Sequence, residues 1–470
     1  MPRLISGTRK RPIKRPIMRN HVLIIFALVC CFQRISQAQD QSSKPTLTNQ
    51  NTQPIAPLGP QLQNPATGTT PPIAPGGTDL NSQTIPGSGQ INPGPLPANE
   101  LIPLPNDLNS AVADLNQKFW RLTYTLGTGV FYDDNIFISS TGKKPDTVFT
   151  LDGGINFELG DFRYQTNDYL IAKYLVTGYL YTKHPSEDSA DQYASFLGQY
   201  RFSGFTFKPS FLYQYVNQPD RFVGTITRHQ YIDGNLALLY DLSPKTQLHA
   251  GFEQITNLYE NFQSSFEYIG RFGADYLITP KIKLGLEGIV GSLHQEGSPA
   301  NFYGQARLRA AYAYTGKLTF RASVGEEVRH YSGNHEVKGT PVFSLGADWN
   351  LFLDTQVSLD AYRSVYASPL TAGDDYTATG ASVTLSQKLL NRFNATAVFG
   401  YENDKYNSTT NSAVNTTRTD NYVYIGPSLT YTFRSWLTAS VYYQFRRTDS
   451  NAEGESFTEN RIGEQISITF

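Results

Sequence analysis

The sequence contains almost no sulfur. Of 470 residues, only two are cysteine and two are methionine, and these stand at positions 1, 18, 30 and 31. The chain after residue 38 therefore has no thiol. This composition suits an oxidising compartment, because such a chain cannot form wrong disulfides there.

Long hydrophobic runs are also absent. A membrane-spanning helix needs roughly 18 or more consecutive apolar residues, and no stretch after residue 38 approaches that length. The pattern excludes a helical membrane protein, whereas it leaves a membrane protein built from β-strands open.

The N-terminus has the composition of a cleaved signal peptide. Residues 1–20 carry seven basic side chains and no acid, and a short apolar run follows over Val22–Phe32. Ser36-Gln37-Ala38 then places small residues at positions −3 and −1. We predict a signal peptide over residues 1–38, with cleavage between Ala38 and Gln39. The long basic region leaves Met18 as an alternative start.

A surplus of basic residues is missing from the exported chain. The whole sequence has 39 basic and 40 acidic residues, and residues 1–38 account for eight of the basic ones and none of the acids. The mature chain thus has 31 basic residues against 40 acidic ones, a net charge of −9. This balance argues against a nucleic-acid partner.

Aromatic residues are absent from Gln39 to Lys118, where 14 of the 27 prolines lie among Gln, Asn, Thr and Gly. Such a segment cannot bury enough apolar surface to offset its conformational entropy. We predict a disordered periplasmic linker over 39–106, which serves as a spacer or as a tether for a periplasmic partner. The spacing of Leu108, Val112, Leu115 and Phe119 predicts a short helix over 107–119.

The chain after residue 118 contains all 30 tyrosines and 26 of the 28 phenylalanines. They occur in short segments in which apolar and polar residues alternate. In Ser265–Ile278, for example, Phe266 and Phe272 fall on one face while Glu267 and Arg271 fall on the other. Because side chains alternate across a β-strand, the region predicts many strands with one apolar and one polar face.

A soluble β-sandwich also has alternating strands, but three features favour a membrane barrel. The region is large for one soluble β-domain, and its apolar faces are rich in the Tyr and Phe typical of interfacial girdles. Its connections alternate between tight turns such as Ser203-Gly204 and long loops such as 133–145 and 217–229. We predict an all-β fold, an antiparallel transmembrane barrel of about 18 strands over residues 120–470.

This architecture implies a cellular location and a set of partners. We expect the chain in the outer membrane of a Gram-negative bacterium, with the linker and both termini in the periplasm. Its partners are then outer-membrane lipid and lipopolysaccharide, the barrel-assembly machinery, and a polysaccharide or a periplasmic protein held by the linker. The last strand supports this, because Ile466, Ile468 and Phe470 share one face and end the chain as an assembly signal does.

Charged residues on the polar faces are the candidate functional residues. They line the predicted lumen and either pair across strands or set the selectivity of a pore. The density of arginine in strands 8 to 11 favours anionic solutes or an acidic polysaccharide. The predicted lumen-lining charges are Arg201, Arg271, Arg307, Arg309, Arg321, Arg329, Arg446, Glu267, Asp275, Glu287 and Glu327.

The opening strand contains the phrase Tyr132-Asp133-Asp134-Asn135-Ile136-Phe137. With the exported linker before it, this resembles the putative β-barrel porin type 2 family, bacterial outer-membrane barrels of which some are encoded with exopolysaccharide genes. The resemblance covers roughly 120–470 and implies a barrel and transport or polysaccharide export, without catalytic residues. The oxygens of Asp133, Asp134 and Asn135 suggest a calcium site, but turn-forming residues at a strand end explain them equally well, and we predict neither metal nor cofactor.

Enzymatic activity has little support in the sequence. A barrel hydrolase needs a serine and a histidine at matching depth with an orienting group, and neither Gly-x-Ser-x-Gly nor His-Glu-x-x-His occurs. We therefore predict a channel that passes small solutes or exports a polysaccharide. The alternatives are a structural or adhesive barrel with a plugged lumen and, third, a barrel hydrolase. Inward-folded loops would favour the plugged barrel.

Overall fold

The computed structural model describes residues 119–162, 165, 167–332, 336–352, 354–370, 375–390, 392–407 and 418–470. The predicted signal peptide, its cleavage site at Ala38–Gln39 and the linker lie outside the described residues. So does the predicted helix over 107–119, apart from Phe119. Among the described residues, no helix is long and apolar enough to cross a membrane.

The described chain forms one antiparallel sheet of 18 strands. Every strand pairs with the next, and β1 also pairs with β18, with Thr125 opposite Thr469 and Asp133 opposite Arg461, so the sheet closes into a barrel. The predicted fold class and strand number are confirmed. The strands are β1 Trp120–Asp133, β2 Asp146–Gly160, β3 Tyr169–Tyr181, β4 Ser189–Phe202, β5 Phe205–Asp220, β6 Thr225–Ser243, β7 Thr246–Tyr259, β8 Ser265–Thr279, β9 Ile282–Gln295, β10 Asn301–Thr315, β11 Leu318–Tyr331, β12 Glu336–Phe352, β13 Thr355–Ala367, β14 Asp375–Leu389, β15 Phe393–Asn407, β16 Thr419–Arg434, β17 Leu437–Ser450 and β18 Phe457–Thr469.

The two ends of the barrel differ in their connections. One end, here the turn end, holds the start of β1, the C-terminus and tight turns such as Ser203-Gly204, where both residues have positive φ. The other, the loop end, holds most of the long connections. One expected long loop is short: β5 and β6 extend into the predicted loop 217–229 and leave a turn of only 221–224, because Gln218, Asp220 and Thr227 continue the inward alternation of these strands.

Alternation along each strand separates a polar inner face from an apolar outer one. On β8, Phe266, Phe272 and Tyr276 are among the exposed large hydrophobic residues, whereas Asp275 is buried on the opposite face. An aromatic belt surrounds the turn end, where Trp120, Trp349 and Trp436 are 48%, 42% and 49% exposed. A barrel with this outer surface has the form that lipid requires, since closure leaves no strand edge unpaired.

Candidate transport lumen

One side of the inner surface, here called the charged wall, is formed by β6 to β11. Most of the charged residues selected from the sequence lie on it, at inward positions of β8 to β11. Arg271 donates to Glu253 at 2.5 Å, and Arg309 donates to Glu287 at 3.4 Å. The strand register makes these contacts, because it sets acids and arginines of adjacent strands side by side.

Other arginines selected from the sequence are also paired with carboxylates, within one strand or between strands. Arg329 lies 2.8 Å from Glu327 and 3.6 Å from Asp375. Arg321 donates to Asp348, which also accepts a bond of 2.9 Å from Ser358. On the far side of the barrel, Arg446 donates to Glu459 on the neighbouring strand β18. These guanidinium groups are therefore largely neutralised by carboxylates.

The acids selected from the sequence have partners as well. Glu267 accepts a hydrogen bond of 2.6 Å from the Tyr303 hydroxyl. Asp275 lies 3.7 Å from His249 and 4.0 Å from Arg309. Glu327 accepts a further bond of 2.6 Å from Gln305. The charged wall is thus a network of ion pairs within and between strands, and its arginines are not a uniform positive surface.

Two arginines selected from the sequence differ from the rest. Among the described residues, Arg307 makes no hydrogen bond or ion pair, and its Nε is buried without a partner. Arg201 is exposed near the turn end on β4, and no ion pair of its side chain is found in the described part of the chain. The lumen therefore holds one unpaired guanidinium inside its wall and one near its turn end.

The opposite side of the lumen, here called the hydroxyl wall, is formed by β12 to β16. Toward the turn end its inward residues are mostly small or hydroxyl-bearing, and they are half-buried. They include Ser344, Gly346, Ser358, Ser382, Thr384, Ser386, Thr396, Ser428 and Thr430. Short polar side chains leave space and provide hydrogen-bond partners for water, so this half of the lumen suits hydrated solutes.

A hairpin folds inward at the loop end. Its tip, residues 220–224 and here called the latch, connects β5 and β6 but contacts β14, β15 and β16 on the opposite side of the barrel. Arg221 donates to Glu402, and its Nη1 lies 3.1 Å from Asp404. The guanidinium also lies 4.2 Å from the ring centre of Tyr422.

Apolar packing completes the latch contact. Phe222 is 1% exposed and its ring centre lies 5.4 Å from that of Tyr376. Tyr259 on β7 donates to Asp220 at 3.2 Å, which fixes the base of the tip. Burial lowers the pKa of Arg221, but the carboxylates of Glu402 and Asp404 raise it more, so that the pKa stands well above its ordinary value. The latch is therefore held to the opposite wall by the positive charge of Arg221 and by the buried ring of Phe222.

The Asp133-Asp134-Asn135 motif joins the two ends of the barrel sequence. Asp133 accepts a bond of 2.7 Å from Arg461, and Asp134 accepts one of 2.8 Å from Asn460. The Asn135 side chain donates to the carbonyl of Thr458 at 3.1 Å. These bonds fasten the β1–β2 connection to β18, so the side-chain oxygens of the motif already have protein partners.

One serine–histidine contact bears on the hydrolase alternative. Ser292 and His294, two positions apart on β9, lie 2.9 Å apart through Oγ and Nε2 on the outer face. Within the described part of the chain, His294 makes no second hydrogen bond that would orient its ring; its other neighbour is Tyr268, at 6.1 Å between ring centres. A catalytic pair needs such an orienting group, so the contact alone does not form a hydrolase site.

The latch residues, the two acids that bind Arg221, and the buried network of Asp133, Glu459 and Arg461 are not among the functional residues predicted from the sequence. Glu402 and Asp404 alternate on one face of β15, which marks them as inward-facing. That they face Arg221 depends on the curvature of the closed barrel, which no local pattern contains.

Part of the chain is similar to a known protein family. Residues 340–470 match the family model described as Putative beta-barrel porin 2. The resemblance noted at the opening strand is thus confirmed from the other end of the barrel. The closed barrel, its apolar outer face and this match identify an outer-membrane β-barrel.

Several solved structures are similar to this chain at low identity, among them the outer membrane protein OpdK. OccK2 (OpdF) of Pseudomonas aeruginosa, in complex with glucuronate, is 13% identical with a TM-score of 0.42, covering 75% of this chain and 100% of its own. OccAB4 of Acinetobacter baumannii is 11% identical with a TM-score of 0.40, covering 76% and 99%. OpdK of P. aeruginosa is 12% identical with a TM-score of 0.38, covering 74% and 99%. At such identities the solutes of those proteins do not transfer to this chain. No curated protein matches the sequence.

Proposed function

We propose that the protein is a passive outer-membrane channel for small polar solutes. The supporting observation is the half-buried hydroxyl wall of β12 to β16, which faces a wall of paired charges in a closed barrel. A wall of this kind can solvate a solute without binding it tightly, as conduction requires. Catalysis has no part in this proposal.

Single-channel recording of the refolded mature chain in a planar bilayer tests the proposal. We expect stable current steps in potassium chloride, because ions can follow the hydroxyl wall. Protein that is shown to be inserted and folded but carries no current would overturn it.

The latch supports a second candidate, a structural or adhesive barrel with a plugged lumen. The tip reaches the opposite wall and buries Arg221 and Phe222 there. A plugged barrel is expected to stay silent in the bilayer even when Arg221 is replaced. Export of a polysaccharide, the larger version of the channel function, needs the latch to move aside.

The proposal includes an orientation and partners. Both termini and the turn end face the periplasm, and the linker over 39–106 spaces or tethers a periplasmic partner. Lipid and lipopolysaccharide surround the outer face. Short turns on the periplasmic side and longer loops outside are typical of such barrels. A protease added to intact cells tests this, because it should cleave within loop-end connections and spare the linker.

The last strand is proposed to carry the assembly signal read by the barrel-assembly machinery. Phe470, Ile468 and Ile466 lie on the outer face and are all exposed. We expect Phe470→Ala to lower the amount of folded barrel in cells more than Phe352→Ala, an equally exposed turn-end residue. Equal amounts of the two variants would contradict this role.

A further inference from the structure

Arg307 is a cation whose neighbouring acids are already bound by other arginines. The charges that act on it are those of Arg271, Glu287 and Glu327. Glu287 accepts from Arg309 at 3.4 Å, and Glu327 lies 2.8 Å from Arg329. No described residue, including Glu287 and Glu327, makes a hydrogen bond with the Arg307 side chain. Among the described residues, no carboxylate lies within ion-pair distance of Arg307, although Glu287 stands opposite it on β9.

Polar atoms around Arg307 lack partners. The stem of Arg307 packs against Gly325, its partner on β11, where a Cβ would lie 2.9 Å from Cγ of Arg307, and the Arg307 side chain is half-buried. Two further polar atoms nearby are buried without a partner, Oγ of Ser323 and Oε1 of Gln305. Buried polar atoms are rarely left without hydrogen bonds, so a ligand or water that supplies the missing bonds is stabilised here.

Arg307 also lies at the boundary between a tightly packed part of the lumen and a more open part. Toward the loop end, Glu327 and Arg329 are 2% and 3% exposed. Toward the turn end, Ser323 and its β12 partner Ser344 are half-buried. A solute that enters along the hydroxyl wall from the turn end reaches Arg307 before it reaches the filled part of the lumen.

We propose that Arg307 forms an anion-binding site that holds the carboxylate of a small organic acid on its way through the lumen. The guanidinium is a planar fork that matches a carboxylate with two parallel hydrogen bonds. The Ser323 hydroxyl adds a third donor, and Gln305 Oε1 accepts from a hydroxyl of the solute. This inference rests on the proposed channel function, since it concerns the solute that the channel carries.

Binding of acetate to the folded mature chain in detergent tests the site. The line width of ¹³C-labelled acetate is followed by NMR as its concentration rises. We expect saturable broadening with the wild type, and binding weakened about tenfold or more in Arg307→Gln, because a hydrogen bond to a charged group has that value. Arg228→Gln is the matched control: it removes the same charge from an exposed pair with Glu260 at the loop end and should bind acetate as the wild type does.

Arg307→Lys covers the case in which the glutamine variant does not fold. It keeps the charge but lacks the fork, so acetate should bind it more weakly than the wild type and with saturation. Equal acetate affinity in the wild type and the Arg307 variants would overturn the proposal, as would the absence of saturable binding to the wild type. Because the titration needs no current, its failure is separate from that of the channel, which the potassium chloride recording tests.

Discussion

The two halves of the lumen are built differently. At the loop end, inward side chains such as Asp133, Arg461, Tyr376 and Asp404 are at most 1% exposed, and the latch lies among them. At the turn end, the inward residues of the hydroxyl wall are short and half-buried. The same strands form both halves, so the difference comes from side-chain size and charge. The packing at the loop end, here called the filled half, determines whether solutes can pass through the lumen. The short polar residues at the turn end, here called the open half, determine which solutes the lumen can contain.

Release of the latch should have the largest effect on the filled half. Arg221→Ala removes the bonds to Glu402 and Asp404 and leaves these buried acids without that partner. We expect the single-channel conductance to rise several-fold, because the tip no longer holds to the far wall. Arg228→Ala is the control; it removes an equal charge from the same hairpin but from an exposed pair with Glu260. Unchanged conductance in Arg221→Ala would show that the latch does not limit the current.

The buried network where β1 meets β18 should dominate the stability of the filled half. Arg461 binds both Asp133 and Glu459 and is 1% exposed. Removing one partner of a buried ion pair costs about 3–5 kcal/mol, so Arg461→Ala should lower the free energy of unfolding in vesicles by this amount.

Arg447→Ala provides the comparison for that measurement. Arg447 pairs with Asp449, two positions further along β17, but both side chains are more than half exposed. An exposed pair contributes about 0–1 kcal/mol. Similar losses in the two variants would contradict the view that the network at β1 and β18 is a buried stabilising element.

The fold could be predicted from the sequence because its cause is local. Alternation of the Phe266 and Glu267 kind repeats along every strand, and tight turns such as Ser203-Gly204 end strands at recognisable residues. The partner of each lumen arginine could not be predicted, because side-chain orientation decides it as well as register: Glu287 stands opposite Arg307, yet its hydrogen bond comes from Arg309, two positions along β10. The latch was hidden for the same reason, since Arg221 and Glu402 are separated by 181 residues.

A carboxylate placed on either face of β14 should distinguish the inner from the outer surface of the open half. Ser382 faces the lumen and Ala381 faces outward. Ser382→Asp should make the channel more cation-selective, measured by reversal potential, with little change in stability. Ala381→Asp should leave selectivity unchanged and destabilise the barrel by up to ~2 kcal/mol, because it places an acid in lipid. A reversal of these two results would mean that the faces are assigned wrongly.

The central contrast can be measured directly, because the chain after residue 38 has no cysteine of its own. Ala378 and Ser382 lie on the same face of β14, four residues apart; Ala378 is 1% exposed and Ser382 is half-buried. Single-cysteine variants Ala378→Cys and Ser382→Cys in inserted barrels are treated with a membrane-impermeant thiol reagent. We predict fast labelling at position 382, slow labelling at position 378, and faster labelling at 378 when Arg221→Ala is added. Equal rates at the two positions would contradict a lumen that is filled in one half and open in the other.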